Sequence, residues 1–253
     1  MISPMKSEAP PKIIARPADV AIGRDIGGCS NCAHLQSCLS KSLSGSKALS
    51  TFEGAIEADR VIDAGERLIV EGDIFTALYV VKSGSFKAIA GANSANIMGF
   101  YFATNLVGLE SIGKGAHLTS YIALERSVVC QLNYQKLLER FRRFPSVRID
   151  FTETMSAQFN ESLLLFSLIR AGTVLQRVGA FLLYVAAQND RRKLVDLEIV
   201  LPMGRTDISN FLGISPESLS RSLTTLSKKS LLKVLNRRVT LLDRAALAEI
   251  VAL

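Results

Sequence analysis

From Arg60 to Asn133 the chain sets short apolar stretches between polar breaks and turn glycines. The segment RVIDAGERLIVEGDIFTALYVVKSGSFKAIA carries Gly65, Gly72 and Gly84. Short strands punctuated by glycines about a dozen residues apart or fewer predict an antiparallel barrel or roll. The signal continues through ANIMGFYF, NLVGLESIG and TSYIALERSVVCQLN. After Pro145 the period changes. Val147, Phe151, Met155, Phe159, Ser162, Phe166 and Ile169 recur in steps of three or four, predicting a long helix with a narrow apolar stripe that Ser162 interrupts. Such a stripe on a helix linking two domains suits a seam between two chains, with Phe151, Met155, Phe159, Ser162 and Phe166 along it.

Further helices are expected from about Leu175, followed by TDISNFLGISPESLSRSLTTL, which reads as two short helices joined at Gly213–Ile214–Ser215. Ser215 suits the N-cap of the second helix and Pro216 its first position. Ile208, Leu212, Leu219, Leu223 and Leu226 then face inward, while Glu217, Ser220 and Arg221 share an outer face near the helix start. This is the helix-turn-helix layout, in which the start of the second helix meets base edges in the major groove. A plain αα-hairpin with a solvated face has the same pattern. LLKVLNRRVTLL reads as a hairpin turning at Asn236, a wing whose Arg237 and Arg238 can reach phosphate. Lys228 and Lys229 are phosphate contacts or solvated charges. The organisation read from these patterns is a tail over 1–45, with a short helix near Lys47–Ile56, a strand domain over 46–144, a helix over 145–170 and a helical domain over 171–253.

Composition narrows the class. With 253 residues there is room for two ordinary domains, and 48% hydrophobic with 21% charged residues is globular. The longest apolar runs, near Leu163–Leu165 and Phe181–Ala187, fall short of the roughly 20 residues of a membrane span, and the start of the chain lacks an apolar signal core. A cytoplasmic protein without a membrane partner is expected. A net charge of +7 and a pI near 9.4 favour an anionic partner, with nucleic acid first.

The cysteines add chemistry. GGCSNCAHLQSC holds Cys29, Cys32 and Cys38, and the fourth cysteine, Cys130, falls in the last strand of the roll. In a reducing compartment, clustered thiols bind metal or do redox work rather than form disulfides. An iron–sulfur centre takes four thiolates. Zinc would take three plus His34, leaving Cys130 in the core. An iron–sulfur redox enzyme would need convergent acid and base groups, and the sequence offers no such constellation. His34 and His117, the two histidines, are otherwise bystanders and give little support to a haem sensor.

Together these residues resemble the cyclic-AMP receptor/FNR superfamily of bacterial transcription regulators. The likeness runs from about Cys29 to Val251 and rests on AGERLIVEGDIFTALYVVKSG, NLVGLESIG, SVVCQL, the long helix and ISPESLSRSL. Cys29, Cys32, Cys38 and Cys130 match the oxygen-responsive FNR branch, with C-x2-C-x5-C ahead of the barrel and a lone cysteine in a late strand. The resemblance implies an α+β fold: an N-terminal antiparallel β-roll sensor of the cyclic-nucleotide-binding type, a long dimerisation helix and a C-terminal winged helix-turn-helix. It also implies a [4Fe-4S] cluster on the four thiolates, which oxygen degrades, and a homodimer that binds DNA while the cluster is intact. Glu217, Ser220 and Arg221 match the family's E-x-x-S-R contacts, which implies an inverted repeat resembling TTGAT-N4-ATCAA. RNA polymerase is the implied further partner.

Several positions depart from the family pattern. Where nucleotide-binding relatives place a Gly-Glu and an Arg-Ser pair, Asn105 and Thr119–Ser120 offer a cyclic phosphate no bidentate partner. Ser162 stands where an acidic residue usually lies on the seam, with Glu161 adjacent. Ser37 replaces a bulky apolar residue before the third cysteine. Thr104–Asn105 replaces a Gly-Asp pair of the surface that activates RNA polymerase. The expectations are an apo-protein that dimerises more readily than its relatives, an altered oxygen sensitivity and an altered activating contact.

Overall fold

The computed structural model describes residues 53–91, 96–191 and 198–251, together with Cys29, Cys32, His34, Leu35, Cys38, residues 41–44 and Leu49. The tail over 1–28, Ser37 and half of the expected helix near Lys47–Ile56 lie outside the described residues. Ile56 itself opens a strand rather than ending a helix.

The N-terminal domain contains β1 (Ile56–Ile62), β2 (Arg67–Ile69), β3 (Ala77–Ser83), β4 (Ser85–Ile89), β5 (Ile97–Phe102), β6 (Leu106–Val107), β7 (Ser120–Ala123) and β8 (Ser127–Asn133). They form two antiparallel sheets, ordered β1-β8-β3-β6 and β2-β7-β4-β5. The chain crosses from one sheet to the other between β3 and β4 at Gly84, whose φ is +78°. A Cβ there would meet Ser127 Oγ at 2.1 Å, so the crossing requires glycine. Val81, Phe86, Val107, Tyr121 and Val129 fill the space between the sheets. Within NLVGLESIG only Leu106–Val107 is strand, followed by a 3-10 turn at Leu109–Ser111.

Thr104 has φ +76° and is buried. A β-branched side chain in the left-handed region costs on the order of 1–3 kcal/mol. Thr104→Gly is therefore expected to stabilise the protein by about 1 kcal/mol after the added chain entropy of glycine is subtracted. Urea unfolding would register this as a higher midpoint at unchanged slope, and an unchanged or lower midpoint would contradict the strain.

Helix α1 (Tyr134–Arg143) starts at Asn133, whose side chain accepts the Lys136 N–H at 3.0 Å. Tyr134, Leu137, Leu138 and Phe141 recur at helical spacing along it, and Leu137 and Phe141 are buried, with charged residues on the opposite face. Helix α2 (Pro145–Ala171) begins as expected, with proline in its first turn. Its apolar stripe divides, which corrects the expectation of one continuous seam. Val147 and Phe151 are buried in the chain's own core, Phe151 against the Phe141 ring of α1 at 5.0 Å, and Met155 packs on the same cluster. Phe159 and Phe166 are 63% and 58% exposed, Ser162 lies exposed between them, and Leu163 and Leu164 extend the open face.

The C-terminal part comprises α3 (Val174–Arg191), β9 (Glu198–Val200), α4 (Arg205–Leu212), α5 (Pro216–Lys228), β10 (Leu232–Leu235), β11 (Arg238–Leu241) and α6 (Arg244–Val251), with a sheet ordered β10-β11-β9. Ile208, Leu212, Leu219, Leu223 and Leu226 are all buried, as the pattern predicts. Their cluster is continuous with Ile89, Ile97, Phe100 and Phe102 on the second sheet of the roll. Phe100 sits 5.8 Å from Phe181 and 5.2 Å from Phe211, and the Tyr184 hydroxyl donates to the Phe100 carbonyl at 3.2 Å. A partly buried Lys87–Asp207 ion pair at 2.8 Å joins β4 to α4. The two blocks expected as separate domains thus share one apolar core.

Candidate thiolate site and nucleic-acid interface

Single i→i+3 hydrogen bonds recur among the described residues of the cysteine segment. The Cys32 N–H donates to Cys29 O, Leu35 to Cys32, Cys38 to Leu35, Lys41 to Cys38 and Ser44 to Lys41, all at 3.1–3.2 Å. Cys29, Cys32 and Cys38 all face one wall.

That wall is the roll. Cys130 lies in β8 between β1 and β3, opposite Asp59 on one side and Val80 on the other. All four thiols border one cavity, with His34, Asp59 and Lys82 also in its lining. None of the four cysteines is in a disulfide. Cys130 Sγ donates to Asp59 Oδ1 at 3.3 Å, and the Lys82 ammonium pairs with the same carboxylate. Burial, reinforced by the Asp59 charge, pushes the Cys130 thiol well above the ordinary thiol range. It stands as a protonated donor, and ligation of a metal would displace its proton.

Among the described residues, no three His, Cys, Asp or Glu side chains form the ligand set of a single metal ion. Tetrahedral zinc, with Zn–S bonds of about 2.3 Å, would need sulfurs within roughly 4 Å of one another. Thiols that ring a cavity suit a centre with several metal corners, each taking one thiolate.

The same segment packs against α2. Lys41 Nζ lies 2.8 Å from Glu153 and 3.9 Å from Asp150, and the Ser42 N–H donates to Asp150 Oδ2 at 2.9 Å. Leu43 is buried in the cluster that holds Val147 and Phe151. One helical turn beyond Thr154, Gln158 donates to the Leu106 carbonyl and accepts the Leu106 N–H, both at 2.9 Å, so its amide extends the edge strand β6. Glu161 accepts from Gln188 of α3 at 3.2 Å and so is directed into its own chain, while Ser162 donates to the Gln158 carbonyl. None of these contacts was expected from the sequence.

The positions at which a nucleotide would be held are occupied by backbone bonds. Asn105 Oδ1 accepts the Phe102 N–H at 2.8 Å and Ser120 Oγ accepts the Glu71 N–H at 2.9 Å; Thr119 is buried. His117 stands away from the thiol cavity, its ring edge on Phe75, and burial lowers its pKa.

At the other end, Gly213 closes α4 in the left-handed region and Ser215 Oγ caps α5 by accepting the Ser218 N–H at 3.2 Å. Glu217, Ser220 and Arg221 are exposed together on the outer face of α5. Hydrogen bonds from its own backbone amide and from Ser215, with the Arg221 charge one turn on, hold the Glu217 carboxyl below its ordinary range. The wing turns at Asn236, φ +56°. Arg237, at its tip, donates to the Pro202 carbonyl at 3.3 Å and is exposed, whereas Arg238 is paired with Glu198 at 2.7 Å. Lys228 and Lys229 lie exposed at the end of α5.

Residues 59–144 match the cyclic nucleotide-binding domain family and residues 176–250 the Crp-like helix-turn-helix domain family. The fumarate and nitrate reduction regulatory protein of Escherichia coli is 30% identical over 224 residues, covering 88% of this chain and 89% of that protein. Its counterpart from Vibrio cholerae aligns with the same identity and coverage. Among solved structures, FixK2 from Bradyrhizobium japonicum superposes with a TM-score of 0.68 at 23% identity, covering 78% of this chain and 98% of that one. A CRP-family transcriptional regulator from Thermus thermophilus gives 0.61 at 18% identity, over 76% of this chain and 96% of that one. Both show the fold.

Proposed function

Because the chain belongs to the family of the fumarate and nitrate reduction regulatory proteins, which are transcription regulators and not enzymes, we propose that it is a cytoplasmic, oxygen-sensing regulator that binds an inverted-repeat promoter as a homodimer. The observation that carries this reading is the single cavity bordered by Cys29, Cys32, Cys38 and Cys130. Those four thiolates would hold a [4Fe-4S] cluster. When bound, the cluster supplies an oxygen-labile tie between the cysteine segment and the roll.

The chain's own residues do the rest. Lys41 and Ser42 carry the position of the segment to Glu153 and Asp150 at the start of α2, and Gln158 fixes α2 on the roll. The open part of the seam, Phe159, Ser162 and Phe166, faces a partner chain. With both protomers joined, two copies of α5 present Glu217, Ser220 and Arg221 to half-sites one helical turn apart, and Arg237 and Arg238 approach phosphate. Arg238 does so by giving up Glu198. RNA polymerase is the further partner, and Thr104 and Asn105, expected on the activating surface, are buried in this chain.

Absorbance of protein purified without oxygen, recorded before and after air, tests the reading. A broad shoulder near ~420 nm that fades as iron leaves is expected, with footprinting on the inverted repeat lost in parallel. Colourless protein with stoichiometric zinc would remove the oxygen switch and keep the DNA-binding role; His34, on the same cavity, would then be the fourth ligand.

Ser162 leaves the seam without a like-charge pair, and Glu161 is directed to α3. The apo-protein is therefore expected to dimerise measurably. Ser162→Asp should weaken that dimer about tenfold or more, since like charges facing across an interface cost on the order of a kcal/mol or more. Sedimentation velocity of the apo forms checks this, and a wild-type apo-protein that is strictly monomeric would dismiss it.

A further inference from the structure

We propose that Lys82 is the charge partner of the thiolate site, holding its ammonium over the cavity through Asp59 so that the negative charge of the metal centre is offset. The inference rests on the cluster reading above and adds residues to it that the cysteine pattern does not include.

The geometry is that of three neighbouring strands. Cys130 in β8 stands opposite Asp59 in β1, and Lys82 comes from β3 on the other side. Lys82 and Asp59 form an ion pair with side chains 20% and 12% exposed, and Asp59 also takes the Cys130 hydrogen bond. Both border the cavity that the four cysteines border. Among the described lining residues, Lys82 is the one permanent cation and Asp59 the one carboxylate; most of the remaining wall is thiol and aliphatic, from Leu35, Ile56, Val80 and Val81.

Charge decides what this pair does. Four thiolates around a [4Fe-4S] core leave a net charge of about −2 at the site. Asp59 adds another negative charge to the same poorly solvated wall. An uncompensated charge in such a place is strongly unfavourable. Once Cys130 ligates as a thiolate it no longer donates to Asp59, and the carboxylate and the sulfur then face one another with Lys82 as the available donor between them. The carboxylate acts as the anchor that keeps a long, mobile ammonium in that position. Both are positioning and electrostatic residues, without a bond to metal.

The test uses the full-length protein reconstituted with iron and sulfide under nitrogen, comparing wild type with Lys82→Met, Lys82→Arg and Asp59→Asn. The readouts are iron content, the rate of iron loss to an added chelator without oxygen, and the midpoint potential from a dithionite titration followed by electron paramagnetic resonance. Lys82→Met is expected to lose iron several-fold faster and to have a more negative potential, because removing a positive charge disfavours the reduced cluster. Lys82→Arg should restore both. Asp59→Asn removes the anchor together with its charge and should lose iron faster than wild type, as Lys82→Met does, whereas removal of a bare negative charge would slow the loss. If Lys82→Met does not fold, the Asp59→Asn rate of iron loss alone decides. Wild-type iron retention and potential in the Lys82→Met and Asp59→Asn proteins would overturn the inference and leave the cluster reading intact. A wild-type protein that binds no iron would overturn both.

Discussion

Arg221→Ala is expected to cost about 1–3 kcal/mol at each half-site and to blur base preference there, because a guanidinium on O6 and N7 of guanine is the strongest contact this face of α5 can make. The side chain is exposed beside Glu217 and Ser220 on a helix whose start is fixed by the Ser215 cap. Its loss should therefore leave folding untouched. In a dimer the cost is incurred twice, so the site-specific complex should all but vanish in a gel shift while weak, salt-dependent binding persists. Competition with altered repeats is the decisive measurement. Unchanged discrimination in the variant would mean that α5 does not read bases through this residue.

Cys130→Ala is expected to empty the thiolate site. Cys29, Cys32 and Cys38 sit on a segment held largely by turn hydrogen bonds, whereas Cys130 is the ligand that the roll itself supplies. Iron and sulfide analysis after anaerobic reconstitution should fall to background, and footprinting on the repeat should be lost with it. The alanine removes one partly buried sulfur and frees Asp59 to pair with Lys82 alone, so unfolding should shift little. Full iron content in this variant would show that the centre is held elsewhere.

Much of this site is legible in local sequence. The four cysteines that stand out in the sequence meet at one cavity, and Ser215–Pro216 after Gly213 spells the turn between the two helices. The turn glycines that predict the roll hold, because Gly65, Gly72 and Gly84 all take left-handed turns between strands. Other parts are not legible for equally physical reasons. The Asp150 carboxylate meets Ser42 across 108 positions of chain, and Asp59 meets Cys130 across 71, separations at which no period operates. The seam was overextended because helical spacing identifies an apolar stripe without saying whether its neighbour is the same chain: Phe151 is taken by Phe141, Phe166 is left open. The Arg238–Glu198 pair likewise joins two strands that only the fold brings side by side.

The core shared by the roll and the helix-turn-helix determines how the DNA would feel a change in dimer geometry. With Phe100 seated between Phe181 and Phe211, and Lys87 paired with Asp207, the reading helix has no independent hinge among the described contacts. In the dimer proposed above each protomer would then move as one arm, and α2, with 27 residues, is about 40 Å long at 1.5 Å per residue. Over that length a tilt of about 5° moves one end by roughly 3.4 Å, the rise of one base pair, against a half-site separation of about 34 Å. Selectivity for the spacer of the proposed repeat would then be a reading of the angle at which two arms meet.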